Sequence, residues 1–401
     1  MKMKIIASAV SVSLLASLSS CNAEASFLRA AISTDDRPTP TIIDLSQDIP
    51  RDEAAISSSP GSKAVQEAAA EDPLIRNAMV LENGSIVSSY HRDDVDPNEI
   101  HEVNSVTKSW ISLLFGIMVD DGLLSLDTTL GEIFPDDEAW ADVTDGSTDF
   151  RKGVTVEELL TMTSGLVDNH HQSSPHGGQS LEGALSYPDV DIELKGKWDY
   201  LINSNIFSYI IVELTGMTPR QYSAERVMGK LGVGEDEYDW GQNDDGVEGG
   251  GGGMFLTPIQ MAKFGQLYLQ GGRTSPSNDE RVISEEWIDA SFTHHSTTDF
   301  SSVGMGSVER INGQPYGYLF PGIEFPSRST VYCALGNDGQ LVCVDRDLGR
   351  VLIATRDLTF TNERFSDLFN VVDIAVEKTL SFRAPNGELS GIGSTVESRA
   401  E

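Results

Sequence analysis

Apolar residues crowd the stretch Trp110, Ile111, Leu113, Leu114, Phe115, Ile117 and Met118. They leave almost no polar face, which predicts a helix buried on nearly every side. Asp120-Asp121-Gly122 ends it, glycine being the expected stop signal. Upstream, Asn77 to Val87 alternates around Asn83-Gly84, the pattern of a hairpin. Downstream, Asp127 to Phe134 and Val154 to Met162 read as shorter helical pieces. Ile206 to Leu214, closed by Thr215-Gly216, and Pro258 to Leu269, closed by Gly271-Gly272, read as longer apolar helices. After Val282 the pattern turns to β: Ser329 to Leu335, Gln340 to Asp345 and Arg350 to Thr355 are consecutive strands with Gly-containing turns. Asp367 to Leu380 reads as a closing helix.

The order is strands, helices, then strands again with a final helix. It predicts an α+β fold, an antiparallel sheet flanked by helices with a mostly helical subdomain inserted between two parts of the sheet. The sheet parts fall at about 74–150 and 280–382, the helical insert at about 151–279, and 383–401 is a polar tail. Residues 22–73, rich in Ser, Ala, Asp, Glu and Pro with little periodicity, read as a tether of low order.

Lys2 and Lys4 precede an apolar stretch from Ile5 to Leu18, the layout of a secretory signal over residues 1–21. It is too short for a membrane span, and no later segment has the ~20 apolar residues a spanning helix needs. Its ending, Leu18-Ser19-Ser20-Cys21, resembles the lipobox of bacterial lipoproteins, which implies lipid on Cys21 and an outer-membrane anchor. Acidic residues number 62 against 28 basic ones, a net charge of -34. Such a surface repels phosphate backbones and excludes nucleic acid as a partner. Cys333 and Cys343 flank a strand–turn–strand, and fit either a cross-hairpin disulfide or two buried thiols. Three cysteines without Cys-x-x-Cys spacing predict no zinc site.

Ser105 and Lys108 stand at the head of the buried helix, in Asn104-Ser105-Val106-Thr107-Lys108-Ser109. Positions i and i+3 share a helix face, so a hydroxyl nucleophile lies beside an amine that can serve as its base. Lys108 can do so only when neutral, which requires its pKa to fall from about 10.4. No other lysine has a serine three residues before it.

These residues resemble the active-site helix of the serine β-lactamase and penicillin-binding-protein superfamily, nearest its class C-like branch with esterases and 6-aminohexanoate-dimer hydrolases. Three further segments match in order: Val154 to Leu166 with Thr161-Met162-Thr163-Ser164-Gly165, Gly250 to Phe255 with its following helix, and the late strand Val331 to Val344. The resemblance spans roughly residues 75–380. It implies Tyr200 as the group that passes a proton to the leaving group. The family's Tyr-x-Asn spacing fails, because Ile202 stands where Asn is expected, and Asn203 is the candidate to serve instead. It also implies an oxyanion hole from the backbone N–H groups of Ser105 and Gln340, beside Gly339. The family's Lys-Thr-Gly or His-x-Gly element is replaced by Gly336-Asn337-Asp338-Gly339-Gln340. Asn337 cannot pair with a substrate carboxylate as a cation would, so a neutral ester or amide is the expected substrate.

His170, His171 and His176-Gly177-Gly178 form a His-rich loop, but neither a Gly-x-Ser-x-Gly elbow nor a His-Glu-x-x-His helix accompanies it. The expectation is an exported, lipid-anchored serine hydrolase needing no metal or organic cofactor. The alternatives are a D-alanyl-D-alanine carboxypeptidase or β-lactamase, or a non-catalytic binding member of the same fold. The oligomeric state is not readable from these patterns.

Overall fold

The computed structural model describes residues 37–167, 180–186, 189–201, 204–277, 279–300, 309–325, 328–359, 365–377 and 380–384. Its main sheet has six strands: β1 (Ile75–Glu82), β2 (Ser85–His91), β3 (Gly322–Phe325), β4 (Arg328–Gly336), β5 (Gln340–Asp345) and β6 (Arg350–Arg356). Their spatial order is β3-β4-β5-β6-β1-β2, and every pair is antiparallel. The expected α+β arrangement of antiparallel sheet and helices is present. The pairing of β1 with β6, through Ala78 opposite Ala354 and Val80 opposite Leu352, joins the two halves of the sheet around the helical middle of the chain. Within β1–β2 the turn is Asn83-Gly84, both at positive φ (53° and 75°), as a tight hairpin with right-handed strand twist requires.

The helices used below are α1 (Glu53–Ser58), α2 (Pro60–Glu71), α3 (Val106–Asp120), α4 (Asn205–Thr215), α5 (Pro219–Arg226), α6 (Pro258–Leu269), α7 (Glu285–Ser291) and α8 (Phe365–Ala375). α6 lies across β5 and β6, while α2 lies on β1 and β2 and also meets α8. α3, whose residues from Val106 to Met118 are all buried, reaches the sheet at β4. Cys333 and Cys343, directly opposite each other on β4 and β5, form a disulfide.

Two stretches differ from the sequence-based expectation. Residues 37–73, expected as part of a low-order tether, are folded onto the domain. Leu45 N–H donates to the Thr274 carbonyl (2.8 Å), and Pro50 and Asp52 bond both backbone groups of Ile86 at 2.8 and 2.9 Å. α1 and α2 follow, started by Asp52 and Ser59 as N-caps, with Pro60 opening α2. The apolar side chains here are mostly small, Ala55, Val65, Ala68 and Ala69, so the segment reads as polar while its inner face is buried. Proline at the first helical position after a serine is the signal that marks it. Residues 22–36 and the signal segment with Cys21 lie outside the described residues. The second difference is α7, a short helix capped by Ser284 in a region expected to be β. Trp287 and Ile288 bury two of its few residues, and seven residues are too few to show a helical period.

Candidate active site

Asn104 takes a left-handed conformation (φ 49°) and Ser105 follows as the residue before α3. The Ser105 side chain makes no capping bond to the helix, so its hydroxyl is not engaged by the backbone it precedes. Three residues on, Lys108 is 2 % exposed, and its Nζ donates to Ser105 Oγ at 3.3 Å and to the Gly251 carbonyl at 2.9 Å. The i, i+3 spacing therefore brings the two groups into contact. The helix is anchored beside them, Ser109 Oγ donating to Leu319 O (2.6 Å) and Trp110 Nε1 to Ser223 Oγ (2.9 Å).

The carbonyl that receives Lys108 belongs to the glycine-rich stretch 249–253. Gly250 N–H donates to Asn205 Oδ1 (3.2 Å), and a side chain at Gly250 would fall 2.2 Å from the Ser204 carbonyl. Only glycine permits so close an approach. Met254 to Leu256 then runs antiparallel to His101 and Glu102, and Val103 N–H donates to Met254 O at 2.9 Å. The two chain segments that carry Ser105 and the Lys108 acceptor are thus stitched together just before the helix.

Tyr200 lies beside Lys108, with Lys108 Nζ 5.0 Å from the centre of its ring. The ring is 8 % exposed and packed by Trp198 and Phe300, at centroid distances of 5.7 and 5.4 Å. A packed core tyrosine and a tyrosine at the site are here the same residue. The Thr161-Met162-Thr163 segment holds it: Asp199 N–H donates to Met162 O and Gly196 N–H to Thr163 O, both at 2.8 Å. Met162 adopts positive φ (56°) in doing so.

The turn between β4 and β5 forms the remaining wall. Asn104 Nδ2 donates to the Asn337 carbonyl at 3.0 Å, and a side chain at Gly336 would lie 2.3 Å from the Val103 carbonyl. Asn337 is partly exposed. Asp338, at φ 58°, is buried, its carboxylate accepting from Thr359 Oγ1 (3.0 Å) and Asn337 Nδ2 (3.3 Å). Gly339 sits at φ 94°, a conformation that favours glycine. The Gln340 side chain is fully buried and bonds both backbone groups of Arg356, at 2.9 and 3.2 Å. The Gln340 amide is therefore committed within the protein.

The structure thus gathers Ser105, Lys108, Tyr200 and the turn with Asn337, Gly339 and Gln340. Asn203 and the histidines at 170, 171 and 176 lie outside the described residues. Reading the sequence missed Asn205 and the Gly251 carbonyl. The Gly-rich run was the available signal, since a backbone acceptor has no side chain to announce it. Among the described residues, no three His, Cys, Asp or Glu side chains cluster to hold a metal.

The Beta-lactamase family profile matches residues 75–372, most of the chain. The chain belongs to the Beta-lactamase family. A 6-aminohexanoate-dimer hydrolase of Paenarthrobacter ureafaciens is 22% identical over 241 residues, which cover 57% of this chain and 60% of that enzyme's length. The chain thus spans less than two thirds of that relative. A structure titled as a putative 6-aminohexanoate-dimer hydrolase from Bacillus anthracis superposes with a TM-score of 0.58 at 15% identity, covering 85% of this chain and 89% of the other. One titled as a putative β-lactamase from Bacteroides dorei gives 0.61 at 15% identity, over 79% and 98%. At such identities the superpositions speak for the shared fold. The family match includes every strand of the main sheet and the whole Ser105 site, and leaves α1, α2 and Asp72 outside.

Proposed function

We propose that the chain is an exported serine hydrolase that cleaves a neutral ester or amide through an acyl-enzyme on Ser105. The observation that carries the reading is the buried contact of Lys108 Nζ with Ser105 Oγ, at 3.3 Å, beside the Tyr200 ring. Neutral Lys108 accepts the Ser105 proton as Oγ attacks the substrate carbonyl. The oxyanion so formed is met by backbone N–H donors of Ser105 and Gln340, of the kind worth a few kcal/mol each. The proton returns to the leaving group through Lys108 and Tyr200. Water then attacks the acyl-enzyme by the same route in reverse and frees Ser105.

A neutral substrate is supported by the 337–340 turn, where the side chains are an amide, a carboxylate and a buried glutamine, with no cation to pair with a substrate carboxylate. An amide or ester bond accords with the 6-aminohexanoate-dimer hydrolase relative. Export, with lipid on Cys21 as an anchor, is supported by the N-terminal segment and by the Cys333–Cys343 disulfide, a bond at home in oxidising compartments.

The test is a hydrolysis panel of aryl esters, aryl amides, nitrocefin and a D-Ala-D-Ala peptide. Ser105→Ala should lose roughly 10⁴-fold or more in turnover, together with covalent labelling by a fluorophosphonate. Retained turnover removes the mechanism. Faster nitrocefin or peptide cleavage than ester cleavage replaces the neutral-substrate reading with the β-lactamase or carboxypeptidase one.

A further inference from the structure

Beneath the 337–340 turn lies a buried ion pair that the reaction scheme does not use. Arg356 ends β6 and Asp72 follows α2; each is 1 % exposed. Arg356 Nε is 3.0 Å from Asp72 Oδ2. Arg356 Nη1 donates to the Asp338 carbonyl at 3.0 Å. A side chain at Gly339 would fall 2.5 Å from Arg356 Cδ, so the turn rests directly on the arginine stem. The Arg356 backbone is fixed as well, its carbonyl accepting from Gln340 Nε2 and from His101 Nε2, both at 2.9 Å. Asp72 is fixed in turn, Oδ1 accepting from Leu74 N–H at 2.9 Å.

We propose that Asp72 and Arg356 are positioning residues for the oxyanion-binding turn: Arg356 holds the peptide joining Asp338 to Gly339, and Asp72 holds Arg356. The proposal rests on the acyl-enzyme reading above. In a planar trans peptide the carbonyl and N–H point in opposite directions. Fixing the Asp338 carbonyl on the guanidinium therefore fixes the Gly339 N–H facing away from it, and with it the approach of the chain to Gln340. Asp72 balances the guanidinium charge across the 3.0 Å contact, which is an ion pair without hydrogen-bond alignment. Asp72 lies outside the family match, so the site draws on a segment that precedes the family domain.

A turn that binds only the oxyanion affects the transition state and not the ground state, so disturbing it lowers kcat and leaves KM in place. The measurement is kcat and KM for p-nitrophenyl butyrate in the full chain, normalised to sites titrated with a fluorophosphonate. Asp72→Asn keeps the shape and removes the charge; kcat per titrated site should fall roughly 10-fold or more with KM within about twofold. Arg356→Lys, which keeps a cation without the forked donor, should behave alike. Full kcat per titrated site with only a lower Tm overturns the proposal and makes the pair a plain structural tie. Should Asp72→Asn give no titratable sites, Asp72→Glu supplies the comparison: a severalfold lower kcat at unchanged KM supports the proposal, and an unchanged kcat overturns it. Ser105→Ala is run alongside. Turnover retained there overturns the acyl-enzyme reading and this proposal with it. Turnover lost there, with Asp72→Asn at full kcat per site, overturns this proposal alone.

Discussion

Gly251 supplies a carbonyl to Lys108, and Asn205 keeps that carbonyl in place through its bond to Gly250 N–H. Asn205 is buried, so Asn205→Ala leaves a buried donor without its acceptor, at about 1–3 kcal/mol. It also frees Gly251 to shift, and small displacements at a reacting centre cost up to about 100-fold in rate. Expected for Asn205→Ala is a lower denaturation midpoint together with kcat reduced at least about tenfold; an unchanged kcat would separate Asn205 from Lys108. At this scale the sequence was partly legible. Ser105 and Lys108 show themselves because a helix puts i and i+3 together and only one lysine has that serine. Tyr200 shows itself only by resemblance, since its spacing to Asn departs from the family's. Asn205 does not, because a polar residue opening an apolar helix looks like an ordinary cap. Arg356 looks like the polar end of a strand, and its pairing with Asp72, 284 positions earlier by their numbers, has no local trace.

Among the elements, β4 and β5 carry the turn that faces Ser105, and the Cys333–Cys343 disulfide ties them three residues short of Gly336 and Gln340. With a sequence separation of 10, the bond closes a short loop, worth about 3 kcal/mol by the chain-entropy estimate. The Cys333→Ser/Cys343→Ser double variant should lose that much in urea unfolding. A loss below about 0.5 kcal/mol would mean that the ladder alone fixes the hairpin. The strands themselves were legible: short runs between Gly-containing turns located β4, β5 and β6 to within a residue or two, and the Pro258–Leu269 helix is where its period placed it. α1, α2 and α7 were not. Alanine and serine carry too little apolar signal in the first two, and seven residues too few turns in the third.

For the molecule as a whole, 62 acidic residues against 28 basic ones leave a charge of -34 to be held in one folded chain. Surface arginines offset part of this, as Arg76 and Arg92 do together on Asp357. The remaining repulsion acts between exposed charges and is screened over a length of ~10 Å at 0.1 M salt. The melting temperature should therefore rise between 10 mM and 0.5 M sodium chloride; a fall would show that local ion pairs outweigh the net charge. The composition made that expectation readable at once. The order of the sheet was not readable, because nothing local in β1 names β6 as its neighbour.

That neighbour has a consequence in time. The first hairpin is complete by residue 91, yet one edge of β1 has no partner until residues 350–356 arrive. Any process that delivers the chain from its N-terminus, synthesis or translocation, presents an open strand edge long before it can be covered, and open edges invite aggregation. The 337–340 turn rests on the end of that late strand, through Gln340 and Arg356. Chains cut short before residue 350 are thus expected to lack turnover through topology, with Ser105 and Lys108 both present.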